Sequence, residues 1–234
     1  MLKGKTVLIT GGSKGIGYGI AAACLEKDMN VVISGRKVSD LKQAITELKK
    51  ISDHITYAVA DVRNLADQEK SVEKAIATFG SLDVLIANAG VGHFAPIETM
   101  TSELWKDTID INLTGVFNSV KAGLSEIEKS QGYIITMASL AGTNFFASGT
   151  AYNASKFGLV GFTQALMLDV RKKGIKVTTI MPGSVATHFN NHTPGEGDAW
   201  KIQPEDIGQI VVDLLSMPER TLPSKIEVRP SIPK

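Results

Sequence analysis

Tyr152 and Lys156 stand four residues apart in "AYNASKFG" (151 to 158), among small and apolar residues. On a helix that spacing puts both side chains on one face, one turn apart, so that their polar tips can share one ligand. A phenol with a pKa of about 10 is a poor base at neutrality, and an ammonium beside it favours the phenolate. The pair could therefore pass a proton to or from an oxygen held between them. The same spacing also arises as a snorkelling surface pair, and these eight residues alone do not separate the two readings.

A second stretch points to a nucleotide. "TGGSKGIG" (10 to 17) follows an apolar run and carries glycines at 11, 12, 15 and 17. Glycine permits a tight turn, lets backbone approach a pyrophosphate, and leads into a helix whose first N–H groups are unpaired. The spacing is not G-x-G-x-x-G, and the Gly-Lys-Ser/Thr ending of a triphosphate loop is absent, so a dinucleotide is expected rather than triphosphate hydrolysis. In "SGRKVSD" (34 to 40), Gly35 and then Arg36 fall where an NAD site places an acidic residue on the ribose 2′-hydroxyl. Arg36 can instead receive a 2′-phosphate, with Lys14 and Lys37 adding positive charge, so NADP(H) is expected over NAD(H).

These residues need a scaffold. Short β-branched runs at 6–10, 30–34, 55–60, 83–87, 133–137, 176–181 and 225–229 alternate with helical segments near 15–27, 38–51, 65–79, 101–129, 151–172 and 204–216. Helix-start signals include "SD" (39, 40) and "PED" (204 to 206). Strand and helix in alternation predict an α/β chain with a doubly wound, seven-stranded parallel sheet, helices on both faces. Most of the runs are apolar on both faces, which places them inside the sheet. No linker or repeat interrupts residues 1–234, so one nucleotide-binding domain is expected, with a substrate loop at about 188–203.

Composition narrows the function classes. The 234 residues are 43% hydrophobic and 21% charged, with 25 basic against 24 acidic side chains interspersed, so neither nucleic acid nor a membrane is expected as a partner. The start "MLKGKTVLITGG" has no long apolar run, and a cytoplasmic enzyme is expected. Cys24, the single cysteine, lies in "GIAAACLEK" and reads as a small core hydrophobe. His188 and His192 have an i, i+4 spacing, but no helix signal or third ligand accompanies them, so no metal is expected.

"TGGSKGIG", "ANAG" (87 to 90) and "YNASK" (152 to 156) together resemble the short-chain dehydrogenase/reductase family over nearly the whole chain. "DV" (61, 62), "INLTGVF" (111 to 117), "ITMASLAG" (135 to 142) and "MPGSVAT" (181 to 187) fall in the family's order. The resemblance implies a Rossmann fold. It implies cofactor contacts from Gly11, Ser13, Lys14, Gly15, Ile16 and Gly17, from Asp61 and Val62 beside the adenine, and from Asn88, Ala89 and Gly90 around the ribose. Pro182, Gly183 and Val185 would follow, with Thr187 on the nicotinamide carboxamide.

It also implies a catalytic tetrad of Asn112, Ser139, Tyr152 and Lys156, with the usual thirteen-residue step from serine to tyrosine. Tyr152 would be general acid or base, Ser139 would hold the carbonyl oxygen, Lys156 would bind the ribose hydroxyls and favour the phenolate, and Asn112 would hold a water leading to Lys156. Taken singly, Ser139 could be a turn serine and Asn112 a polar residue bonded to backbone.

Ala87 departs from the family's "NNAG", and the C-terminal "LPSKIEVRPSIPK" lacks a glycine-rich stretch. Beside Ser139 and Tyr152, the substrate walls are expected at His93, Phe94, Phe145 and Phe146, with 188–200 as a lid. The apolar breadth of the segment at 151–172, and the family's pairing of it with the one at 101–129, imply a homodimer or, less simply, a tetramer. A small carbonyl or alcohol is the expected substrate. The alternatives are a 3-oxoacyl thioester on a carrier protein, and a non-catalytic NADP(H)-sensing protein.

Overall fold

All seven apolar runs become strands in the computed structural model, which describes residues 2–233. They are β1 (Thr6–Thr10), β2 (Asn30–Gly35), β3 (Ile55–Val59), β4 (Val84–Ala87), β5 (Tyr133–Met137), β6 (Lys176–Pro182) and β7 (Lys225–Val228). Every pairing is parallel, in the order β3-β2-β1-β4-β5-β6-β7. Burial follows that order: β1, β4 and β5 are buried at every position, whereas the edge strands β3 and β7 are partly open. A strand covered by helices on both faces loses its alternation, so these read as continuous apolar runs.

The helices are α1 (Gly15–Leu25), α2 (Val38–Leu48), α3 (Leu65–Phe79), α4 (Ser102–Ile109), α5 (Gly115–Ser130), α6 (Thr150–Val170) and α7 (Pro204–Leu215). Successive strand residues point to opposite faces. Val7 and Ile9 enter a core with Ile20, Leu25, Ile207 and Val211 from α1 and α7, while Leu8 enters a second core with Val72, Val120 and Leu159 from α3, α5 and α6. Cys24 is fully buried in the first core, where desolvation pushes its thiol up to about 12, the behaviour of a packing residue.

Two expectations about helices change. The segment expected as one helix at 101–129 is broken by a π-helical turn, Asp110–Thr114, between α4 and α5. A π turn holds one more residue than an α turn and re-aims the side chains within it. The "SD" signal does not cap α2: the cap is Lys37, without a side-chain bond, and Ser39 and Asp40 sit inside the first turn. Asp40 still complements the partial positive charge there. "PED" behaves as read, with Pro204 opening α7 and the Asp206 carboxylate accepting the Gln203 N–H at 2.7 Å.

The strand order reverses beside β1, where the chain goes to β2 and β3 on one side and to β4 through β7 on the other. Loops leaving the carboxyl ends of β1 and β4 diverge there, which opens the crevice in which such sheets bind ligands.

Candidate active site

A cleft of about 700 Å³ runs along the carboxyl ends of the strands. At its floor the chain turns sharply after β1, with Gly11 and Gly15 at φ +67° and +58°, left-handed backbone that other residues rarely adopt. A Cβ on Gly11 would stand 2.9 Å from Ala89 Cα, so this glycine also lets the β1 and β4 loops meet. Gly11, Ser13, Lys14, Gly15 and Ile16 line the cleft. Gly17 is buried beneath the turn, where a Cβ would be 2.5 Å from the Gly11 carbonyl, so it supports the turn instead of lining it. The cap residue Lys14 makes no side-chain cap bond, which leaves the first N–H groups of α1 facing the cleft as an anion cradle.

The end of the cleft beyond β2 is cationic. Arg36, Lys14 and Lys37 all line it, and none makes an ion pair among the described residues. No carboxylate stands at the end of β2, where Gly35 is the last strand residue and Arg36 follows; Asp40 lines the cleft farther on. Asp61 and Val62 lie across from them. The Arg63 guanidinium grips the Asp61 carboxylate through Nε at 3.1 Å and through its second terminal nitrogen at 2.6 Å, holding that carboxyl below the usual range. This donor set fits a dinucleotide: open N–H groups for a pyrophosphate, and free cations for an additional phosphate on the adenosine.

Beside the turn, Thr10 Oγ1 accepts the N–H groups of Asn88 and Ala89 at 3.0 and 3.1 Å, and Asn88 Nδ2 donates to the Thr10 carbonyl at 2.9 Å. These bonds fix "NAG" against β1. Ala87, which departs from the family's first asparagine, is a buried residue at the end of β4. Asn88, Ala89 and Gly90 line the cleft, as do Pro182, Gly183, Val185 and Thr187 after β6.

Ser139, Tyr152 and Lys156 line the central part of the cleft. Ser139 caps a short turn after β5, its Oγ accepting the Ala141 N–H at 3.1 Å. Asn153 ties that turn to α6, its Nδ2 donating to the carbonyls of Ala141 and Asn144, both at 2.8 Å. On the same helix Tyr152 is pushed upward from its ordinary pKa by burial, an effect partly offset by the neighbouring Ser139 hydroxyl. Lys156 is 4% exposed, donates from Nζ to the Met137 carbonyl at 2.9 Å, and lies 5.7 Å from the centre of the Tyr152 ring. Desolvation pulls its ammonium down to about 8. The expectation that Lys156 lowers the Tyr152 pKa therefore meets a different balance in this structure, where burial moves both groups toward their neutral forms.

Asn112 is fully buried behind the cleft, and the π turn aims it there. Its Oδ1 accepts the Val91 N–H at 2.8 Å, while Nδ2 donates to the Val91 carbonyl at 2.9 Å and to Ser155 Oγ at 3.1 Å. Both amide protons are thus committed to clamping the β4 loop onto α6.

Among the expected substrate walls, His93 lines the cleft and Phe94 packs on Tyr152 with ring centres 5.3 Å apart. Phe146 stands behind Phe94, 5.7 Å away. Phe145 is not brought in: it is 85% exposed and points to solvent. Several contributors are visible only in three dimensions. Asp107 Oδ2 holds His93 Nε2 at 3.0 Å while Arg63 holds the other Asp107 oxygen at 3.0 Å, joining Asp61 to His93 through one chain of charged contacts. Asp198 accepts from His192 and Lys201, both at 2.6 Å, and from the Gly195 N–H at 3.1 Å, closing the loop after β6 on itself. Asn153 and Ser155 were within reach of sequence reasoning, as polar residues inside a buried helical motif. Among the described residues no group of three or more His, Cys, Asp or Glu is placed to hold a metal, and no helix is long and apolar enough to cross a membrane.

Comparison with known proteins bears on this arrangement. Residues 5–196 match the short chain dehydrogenase family. An uncharacterized oxidoreductase of Staphylococcus aureus (strain MRSA252) is 32% identical over 231 residues, covering 98% of this chain and 99% of that protein. An alcohol dehydrogenase from the archaeon Thermococcus sibiricus, solved with 5-hydroxy-NADP, superposes with a TM-score of 0.92 at 26% identity, over 98% of each chain. A 3-ketoacyl-(acyl-carrier-protein) reductase from Brucella melitensis, solved with NADH, gives 0.89 at 25% identity, over 99% of each.

Proposed function

Since this chain belongs to the short-chain dehydrogenase family and is an oxidoreductase of that fold, we propose that it reduces a carbonyl to a secondary alcohol with NADPH, Tyr152 serving as the general acid. The observation that carries this reading is the continuity of one cleft from unpaired Arg36, Lys14 and Lys37 at one end to Ser139, Tyr152 and Lys156 at its centre. When bound, the nicotinamide nucleotide supplies the hydride. The residues of this chain do the rest. The N–H groups at the start of α1 and the free cations hold the phosphates. The Ser139 hydroxyl and the Tyr152 phenol converge on one oxygen, and the phenol gives up its proton as charge develops there. Tyr152, raised by burial above its ordinary value, carries its proton at neutral pH and surrenders it to the more basic oxygen that forms as hydride arrives. Lys156, still charged in most molecules below pH 8, stands where it can offset the phenolate left behind.

Turnover of NADPH with a panel of ketones and aldehydes, read as loss of absorbance, tests the reading. Tyr152→Phe should abolish turnover while leaving NADPH affinity within about twofold; a fully active Tyr152→Phe would refute it.

The similarity to a 3-ketoacyl-(acyl-carrier-protein) reductase raises a carrier-bound thioester as a second reading. A carrier needs a basic docking face, and at the end of α5 Lys129 and the nearby Lys173 are already neutralised by Glu126 and Glu128, which favours small substrates. For the assembly we propose a homodimer through α5 and α6. The outer face of α6 exposes Ala154, Phe157, Gly161, Ala165 and Leu168 at helical spacing, next to exposed Phe117 of α5. Such an apolar stripe suits a self-complementary two-fold contact.

A further inference from the structure

We infer that the ring of Phe189 occupies the place of a ring on the substrate, so that the slot beside Tyr152 takes carbonyl compounds with a flat apolar ring on the carbonyl carbon. This rests on the reading of the cleft as a carbonyl-reducing site.

Phe189 opens a short turn in the loop after β6 and lines the cleft. Its ring centre is 5.7 Å from that of Tyr152 and 6.4 Å from that of Phe94, and Phe94 and Tyr152 are themselves 5.3 Å apart. The three rings form a closed triangle, so Phe189 packs directly on the proposed proton donor. Gly92 supplies the floor: a Cβ there would stand 2.5 Å from Phe189 Cε1 and Cζ, and 2.9 Å from Phe94 Cζ. The slot therefore has the dimensions of a six-membered ring, because it already holds one. Its chemistry is apolar as well. Beside the Phe94 and Tyr152 rings stand Gly92 and Phe146, and His93 Nε2 is taken by Asp107 at 3.0 Å. A polyhydroxylated substrate would lose its water there without replacement bonds.

The loop is built so that Phe189 can leave without unravelling the rest. Downstream, Asp198 holds His192 and Lys201, and Ile202 is bridged to Val185 beside β6. Upstream, Thr187 is buried. Between these anchors the Phe189 backbone is held by its N–H on Thr187 Oγ1 at 3.3 Å and by its carbonyl, which accepts the His192 N–H at 3.2 Å, while its side chain is held by ring contacts alone and can swing out with both backbone bonds kept; Asn190 takes a left-handed conformation (φ 54°) that asparagine tolerates. Phe189 is 38% exposed even when packed, so turning its ring out to solvent uncovers only part of it, and a ring in its place meets the Tyr152 and Phe94 rings. An internal occupant lowers apparent affinity by the fraction of molecules in which the slot is filled.

Phe189→Ala tests this with NADPH and two probes, acetophenone and acetone, together with calorimetric binding of benzamide, a ring compound that is not reduced. Emptying the slot should lower the KM for acetophenone and the Kd for benzamide by roughly 5- to 10-fold, the range of one or two aromatic contacts, and leave the KM for acetone within about twofold. A rise in acetophenone KM would make Phe189 a wall that the substrate uses, and equal changes for both ketones would make the slot indifferent to rings; either overturns the inference. Gly92→Ala gives a second measurement should Phe189→Ala fold poorly. Its methyl intrudes on the slot and should weaken benzamide about tenfold or more, and unchanged benzamide affinity would also overturn the inference. Tighter benzamide in Phe189→Ala without turnover of any carbonyl would retain the slot and refute carbonyl reduction. Acetone turnover with no effect of Phe189→Ala on ring compounds would do the reverse.

Discussion

Replacing Lys156 with methionine should make the protein more stable relative to wild type at pH 7 than at pH 10, and the size of that change follows from its surroundings. Lys156 is 4% exposed, and its ammonium has a single hydrogen-bond partner among the described residues, the Met137 carbonyl at 2.9 Å. Burial lowers its pKa from 10.5 to about 8. A lysine depressed in the folded state binds its proton less well there than in the unfolded chain. Below pH 8 the native protein thus carries a destabilising charge worth about 3 kcal/mol, and this is relieved as pH rises from 8 toward 10.5. Methionine fills similar space without a charge. It forfeits the bond to Met137, a loss of about 1 to 3 kcal/mol that does not vary with pH.

The informative quantity is therefore the pH dependence of the difference between variant and wild type. Urea unfolding of the cofactor-free proteins, at one protein concentration and at several pH values from 7 to 10, should show this difference shrinking by about 2 to 3 kcal/mol. The other lysines and tyrosines titrate in both proteins and cancel. A difference that is flat over this range would refute the reasoning, because it would mean that Lys156 holds its proton at no cost.

Arg36→Ala should weaken NADPH binding about 1.5 to 3 kcal/mol more than NADH binding, through the loss of a charge-assisted bond to the 2′-phosphate; titration with both cofactors checks this, and equal losses would refute the phosphate assignment. Asp198→Asn should loosen the loop after β6, raising hydrogen exchange or proteolysis between 188 and 201. The His192 and Lys201 partners hold the Asp198 carboxyl far below its ordinary 3.8, so the wild-type loop keeps this stabilisation above that pH and loses it only as pH falls well below. Phe157→Glu, at an exposed position on the α6 stripe, should convert a dimer to a monomer in light scattering, and an unchanged mass would place the subunit contact elsewhere.

Most of the sheet was legible because its information is local. A run such as "TVLIT" or "YIITM" is apolar at every position, and only a strand covered on both faces buries all of it. The glycine turn was legible for a related reason, since residues 11 and 15 adopt backbone that glycine adopts readily. What escaped depends on partners distant in sequence. Nothing in "INLTGVF" announces a π turn, because the bonds that orient Asn112 go to Val91 and to Ser155, 21 and 43 residues away. Phe145 and Phe146 are alike as neighbours in sequence, yet one reaches Phe94 and the other faces solvent, a difference set by how the loop after β5 is pinned through Asn153. The contact of Phe189 with Tyr152 joins residues on separate elements and has no local signature.

By the measure of stability alone, Lys156 is worse placed at neutral pH than an uncharged side chain would be. Tyr152 is half-buried near Ser139, and Lys156 has its ammonium buried against one carbonyl. Burial raises the phenol and lowers the ammonium, so each is displaced toward neutrality, and a phenolate forms there at least cost when the cation is already close by. Reduction needs that state only transiently: Tyr152 begins protonated and loses its proton as the substrate oxygen gains it. A charged Lys156 is then most useful after the proton has moved, when an anion has formed on the tyrosine whose ring centre lies 5.7 Å from its Nζ. The destabilisation that Lys156→Met would remove is the cost of keeping that cation in place beforehand, and preorganised charge of this kind stabilises a developing anion without rearrangement at the moment of reaction.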